Sequence, residues 1–210
     1  MSDDPSLPLQ SERDVRDIVG NPVEISLRKQ QTVLDQYCRD FIARSPFLCL
    51  GTMDGDGLSD VSPRGDPAGF VRVLDDRTLI VPERPGNRRI DSIRNILENP
   101  SVGILFLVPG LDETLRVNGR ATVVTDPALL GTMAVEGRIP QLGIRVEVHE
   151  AFFHCGKALK RARLWDPSTR VEAKTFAGLG RILVEQTGTR EYTVEEAERL
   201  VAEDYENDLY

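Results

Sequence analysis

Histidine and cysteine are scarce in this chain, and their scarcity removes whole classes of chemistry. Only His149 and His154 occur, and no metal-ligand spacing surrounds them, so a structural zinc site is not expected. The three cysteines, Cys38, Cys49 and Cys155, stand singly with no CxxC spacing. An odd, scattered set reads as reduced thiols in a cytoplasmic protein, not as a disulfide framework. His154 and Cys155 are neighbours, and neighbours on a strand point to opposite faces, which makes a poor nucleophile pair. Cys155 is expected as a buried small hydrophobe.

Long apolar runs are missing as well. The longest, residues 102–108, falls far short of a membrane span and stops at Pro109-Gly110. No basic region followed by an apolar stretch opens the sequence, so no signal peptide is expected. Positive charge is also in deficit, with a formal net charge of −8. The last twenty residues alone hold eight acidic groups and one Arg, leaving the rest near −1. The acidity therefore belongs to the tail and argues against nucleic acid as a partner. Within that tail, Val194, Ala197, Leu200 and Val201 recur at helical spacing, and a solvated acidic helix is expected.

No internal repeat or low-complexity segment interrupts the 210 residues, whose 40% hydrophobic and 29% charged content suits a soluble globular protein. One domain is expected over residues 1–210, with an N-terminal helix at about 24–44 and a C-terminal helical extension at about 155–210. Residues 1–22 read as a polar arm or loop.

Between them, apolar patterning predicts strands. Residues 47–53 read as a buried strand, followed by the hairpin turn Asp54-Gly55-Asp56-Gly57, where both glycines accept positive φ. The returning strand is expected at 58–62, a further pair at 70–74 and 78–81, and a buried strand at 102–108. A long strand over 113–125 is interrupted at Gly119, and residues 143–153 alternate cleanly. Helices are expected from Gly86-Asn87 to Asn99, over 127–136, 155–164 and 176–186. Six or more mostly antiparallel strands with flanking helices predict a mainly β, α+β barrel.

The chemistry gathers in basic clusters. Pro82-Glu83-Arg84-Pro85-Gly86-Asn87-Arg88-Arg89 leaves a strand and turns through Pro-Gly. It is expected to place Arg88 and Arg89 in the first turn of a helix. The helix dipole disfavours cations there, whereas a phosphate is favoured by the free N–H groups and by both guanidiniums. Ser62-Pro63-Arg64-Gly65-Asp66 alone would read as a surface turn; with Arg88 and Arg89 close in sequence, the three arginines are expected to converge on one phosphate. Arg116, Asn118 and Arg120 share a strand face and read as the wet side of a sheet. Lys157 and Arg161, four apart on a basic helix, are candidates for an anionic substrate.

Taken in order, these clusters resemble the pyridoxamine 5′-phosphate oxidase-like family of FMN-binding split β-barrels. The resemblance runs from about Arg44 to Trp165. It rests on Val61-Ser62-Pro63-Arg64-Gly65-Asp66, the 82–89 segment, Asn95-Ile96, Asn99-Pro100 and Leu115-Arg116-Val117-Asn118-Gly119-Arg120-Ala121. The stretch from Phe153-His154-Cys155-Gly156-Lys157-Ala158 to Leu164-Trp165 resembles one subgroup.

The resemblance implies a homodimer with FMN in clefts between subunits. It implies that Arg64, Arg88 and Arg89 hold the FMN phosphate, with Ser62, Pro63, Gly65 and Asn87 around it. Val81, Pro82 and Glu83 would lie along the isoalloxazine, with backbone N–H groups near Gly65 and Pro82-Glu83 tuning it. Glu113 and Thr114 would come from the second subunit. The implied function is an FMN-dependent oxidoreductase with a small-molecule substrate. A non-catalytic flavin-binding protein and an F420-dependent reductase are the alternatives; haem is disfavoured because its only imidazoles, His149 and His154, lie outside the cleft.

Two departures separate the chain from the oxidase proper. The Lys of its Arg-x-Val-Leu-Leu-Lys strand is absent, and Pro63 removes a backbone donor there. The Arg-x-His element of its C-terminal segment is not recognisable. Activity on pyridoxamine or pyridoxine phosphate is not expected.

Overall fold

The computed structural model describes residues 11–210. Its strands are β1 (Phe47–Met53), β2 (Ser59–Gly65), β3 (Arg72–Val73), β4 (Thr78–Glu83), β5 (Ser101–Leu107), β6 (Thr114–Val124) and β7 (Leu142–His154). They form one seven-stranded sheet in the order β2-β1-β5-β6-β7-β4-β3, with every pairing antiparallel. The helices are α1 (Glu12–Val19), α2 (Glu24–Arg28), α3 (Gln36–Arg44), α4 (Asp91–Glu98), α5 (Pro127–Gly131), α6 (Lys157–Ala162), α7 (Leu179–Thr187) and α8 (Val194–Asn207).

Period-two burial builds the core. Leu48 and Leu50 of β1, Ile104 and Phe106 of β5, Leu115 and Val117 of β6, and Ile144, Val146 and Val148 of β7 all point inward. Cys38, Phe41 and Ile42 of α3 plug one side, and Ile93 and Ile96 of α4 another. Each such large side chain contributes about 1.5–3 kcal/mol by leaving water. β4 is buried on both faces: Leu79 and Val81 join the main core, while Ile80 packs with Leu130 and Met133.

The long sixth strand breaks register between Asn118 and Gly119, where the irregularity was expected. A side chain at Gly119 would overlap the carbonyl oxygen of Glu147, so only glycine allows this bulge. In the β1–β2 hairpin only Gly57 adopts positive φ (86°), and Asp54 closes the turn by accepting from the Asp56 and Leu58 N–H groups.

Several boundaries differ from expectation. Part of the expected 1–22 arm lies outside the described residues; the rest holds α1, stabilised by a Ser11–Asp14 capping box. The helix expected at 24–44 is two helices, α2 and α3, because Gln31 bridges to Ala151 of β7 between them. The strand expected at 70–74 shrinks to β3, and the helix expected at 127–136 to α5. Cys155 is exposed, not buried; it follows β7 where the sheet has ended, and Cys38 is the buried cysteine.

The sheet is curled. β2 and β4 are not hydrogen-bonded neighbours, yet Arg64 of β2 touches Glu83 of β4. This gap, closed by side chains instead of backbone, is the split of a split barrel. α7 and α8 pack against each other, and Gly180 permits their approach because a Cβ there would overlap the backbone of Ala197 and Glu198.

Candidate functional site

The split opens into a cleft of about 790 Å³. One wall is the end of β2. Pro63 is tolerated there because β2 is an edge strand. Alternation turns Ser62 and Arg64 to the cleft, and the serine hydroxyl accepts from Arg64 Nε at 3.2 Å. Ser62 also exchanges a hydrogen bond of 3.1 Å with Ser92, which α4 presents from its first turn. Arg64 Nη1 donates to Glu83 across the split.

A second pair crosses the same gap. Asp66, with a side chain 0% exposed, accepts from Arg84 Nε at 2.6 Å through one carboxylate oxygen. Its other oxygen accepts from the Tyr210 hydroxyl at 2.8 Å. Arg84 also donates to the Met133 carbonyl at 2.8 Å and lies 5.4 Å from the centre of the Tyr210 ring. The hydrogen bond to Asp66 holds the Tyr210 phenol above its ordinary pKa.

The strap after β4 corrects one expectation. Arg88 and Arg89 do not sit in a helical first turn, because α4 begins at Asp91. Arg88 (φ 59°) and Ile90 (φ 53°) are left-handed and stop the helix from starting earlier. The Asn87 side chain accepts from the Arg89 N–H at 3.0 Å. Arg89 pairs with Asp91 at 2.9 Å, and this contact raises the guanidinium pKa and lowers that of the carboxyl. The acid, not the cations, occupies the start of α4, as the helix dipole favours.

Ser62, Pro63, Arg64, Gly65, Pro82, Glu83, Asn87 and Arg89 line the cleft together. Arg88 does not; it faces an adjoining recess of about 560 Å³. Val81 is fully buried, so its side chain serves the core. Thr114 is buried and Glu113 exposed where β6 begins beside His154, outside the cleft of their own chain. Lys157 and Arg161 are exposed on α6 and reach neither cavity. At the other basic face, Arg116 and Asn118 both donate to Glu150, at 2.6 and 3.0 Å.

Arg84, Ser92 and Tyr210, which line the cleft, and Asp66, which holds Arg84 and Tyr210 beside it, are not singled out by the sequence. Asp66 reads as a turn residue in the first basic motif, and Arg84 lies inside the second with no role assigned to it. Ser92 carried no signal beyond its place in a helix. Tyr210, on a tail read as solvated, carried none.

Among the described residues, no group of three or more His, Cys, Asp or Glu side chains converges as a metal site. Nor is any described helix long and apolar enough to cross a membrane.

A sequence model of the pyridoxamine 5′-phosphate oxidase family matches residues 34–155, more than half of the chain. No curated protein matches. Among solved structures, HupZ of Group A Streptococcus is 25% identical, with a TM-score of 0.45 over 57% of this chain and 92% of that one. General Stress Protein 26 of Bacillus anthracis is 16% identical, with a TM-score of 0.42 over 56% and 94% of the two chains. An FMN-binding protein of Syntrophomonas wolfei is 11% identical, with a TM-score of 0.42 over 68% and 96%.

Proposed function

The chain belongs to the pyridoxamine 5′-phosphate oxidase family, and on that premise we propose that it is an FMN-dependent oxidoreductase acting on a small molecule. The observation that carries this reading is the meeting of Ser62 and Arg64 of β2, Arg89 of the segment after β4, and Ser92 of α4 in one cleft. When bound, the flavin supplies hydride chemistry; the protein supplies binding, orientation and electrostatics.

The residues fit a phosphorylated ligand. Arg64 spends Nε on Ser62 and Nη1 on Glu83, which leaves Nη2 for a phosphate oxygen. Arg89 adds a second guanidinium that lines the same cleft, and the Ser62–Ser92 hydroxyl pair, joined by one hydrogen bond, adds one further donor. Pro82, Pro85 and Phe70 give the rest of the cleft an apolar lining for a flat ring. Its volume, about 790 Å³, lies in the range of small-molecule and cofactor sites.

We further propose a homodimer. β2 is an open edge whose Val61 is 72% exposed, and Leu58 just before it is 71% exposed. In such a dimer Glu113 and Thr114, which lie outside the cleft of their own chain, are the residues that the family resemblance assigns to the cleft of the other copy. Light scattering should give twice the chain mass; a monomer would overturn the shared cleft.

The test of the main reading is the absorption spectrum of the purified protein, with the released chromophore identified by mass. Bound FMN is expected. F420 in its place would change the cofactor, and a colourless protein that fails to take up added FMN would overturn the reading. Reduction by NADH or NADPH followed by rapid reoxidation would mark an enzyme; a flavin left oxidised by both would mark a binding protein.

A further inference from the structure

The segment 83–90 separates two cavities. On one side lies the cleft described above, faced by Arg89; on the other lies the 560 Å³ recess, faced by Arg88 and Arg138. The backbone makes this division. Left-handed φ at Arg88 and again at Ile90 sends consecutive arginines to different cavities. A β-branched residue such as Ile90 adopts that conformation only under constraint, and such constraint gathers where a ligand is held.

The recess combines unspent charge with unspent apolar surface. Among the described residues Arg88 engages no hydrogen-bond or ion-pair partner. Arg138 donates from Nη1 to the main-chain oxygen of Tyr210, which leaves its other N–H groups free to point elsewhere. Ile90 and Ile139 are 58% and 57% exposed, and both line the recess together with Leu142. Two guanidiniums beside two exposed isoleucines match neither water nor an inorganic ion. They match an amphipathic anion.

We propose that this recess is the substrate site and takes a small organic anion. Its carboxylate or phosphate is held by Arg88 and Arg138, and its apolar body lies against Ile90, Ile139 and Leu142. The substrate role rests on the flavin reading above, because Glu83, Arg84 and Gly86 wall both cavities and set the recess beside the cofactor cleft. The anion affinity stands on the recess alone. It takes over the role that the sequence assigned to Lys157 and Arg161.

The test is calorimetric titration of the full chain with benzoate, phenyl phosphate and inorganic phosphate, each with and without saturating FMN. Benzoate or phenyl phosphate is expected to bind once per chain, and more tightly than inorganic phosphate. Benzoate alone marks a carboxylate substrate; phenyl phosphate alone marks a phosphate ester. Arg138→Ala should weaken the preferred probe about tenfold or more, the loss of a charge-assisted contact. Arg88→Gly should do the same while relieving the left-handed backbone, so that folding does not obscure the result.

Failure of both ring probes to bind would overturn the proposal. So would unchanged affinity in both variants, or loss of FMN from Arg88→Gly equal to that from Arg89→Ala. Ring anions that bind a chain unable to hold flavin would leave the anion site standing and remove the oxidoreductase reading.

Discussion

Arg64 and Glu83 stand at opposite sides of the split, first and sixth strands in the sheet order, and form an ion pair across it. Neither is free in solvent: the side chains are 15% and 22% exposed. The pair therefore closes the barrel where no backbone hydrogen bond can, and it points Arg64 into the cleft.

Loss of a phosphate-binding arginine should be read in flavin affinity. Arg64→Ala and Arg89→Ala are each expected to weaken FMN binding about tenfold or more, the cost of a charge-assisted hydrogen bond. Glu83→Gln is expected to tighten it, because a neutral amide no longer competes with phosphate for Arg64. Fluorescence titration of the apoprotein measures all three, and a weaker Glu83→Gln would show that Glu83 acts by positioning Arg64.

Tyr210 should carry an alkaline limit on stability. Its phenol pKa is raised in the folded chain by donation to Asp66, above the ordinary value of about 10. The contribution is complete below that ordinary value and is lost as pH rises through the folded pKa. Tyr210→Phe should cost about 1 kcal/mol at neutral pH and should flatten the alkaline fall. Urea unfolding on both sides of pH ~10 tests it; equal slopes in the two proteins would exclude the Asp66 contact.

Thiol reactivity should separate the cysteines. Burial, then the Asp35 side chain, pushes the Cys38 thiol up to about 12, so it stays protonated and shielded. Cys155 is exposed, and the Lys157 backbone N–H lowers its pKa, assisted by the Lys157 and Lys29 charges. Iodoacetamide should therefore label Cys155 first, with the rate rising with pH as thiolate forms. Peptide mapping that finds Cys38 labelled first would contradict this burial.

Two glycines should respond very differently to alanine. Gly119→Ala drives a methyl into the Glu147 carbonyl and should destabilise by about 3 kcal/mol. Gly86→Ala meets nothing within 4 Å and should change stability by less than about 0.5 kcal/mol. Chemical denaturation compares them directly.

The path of Arg88 and Arg89 shows where local reading of the site ended. Both residues and their motif were visible, and so was an anion site near them. Their split between two cavities was not, because it follows from two left-handed residues, Arg88 and Ile90, that neither glycine nor asparagine announces. Asp66 and Arg84 were equally visible as letters, but their pairing required β2 and β4 to face each other.

What the sequence determined by itself is whatever repeats over a few residues. Short apolar runs at 47–53 and 102–108 and alternation at 143–153 marked β1, β5 and β7; the Asp54-Gly55-Asp56-Gly57 turn joined β1 to β2; Gly119 marked the bulge. These depend on periodicity and on glycine's missing Cβ, both properties of short stretches. Only tertiary structure decided the curl that sets Arg64 against Glu83, and the docking that joins Tyr210 to Asp66, 144 residues away. Such contacts depend on where separate elements end in space, and side-chain spacing along one element carries no record of that.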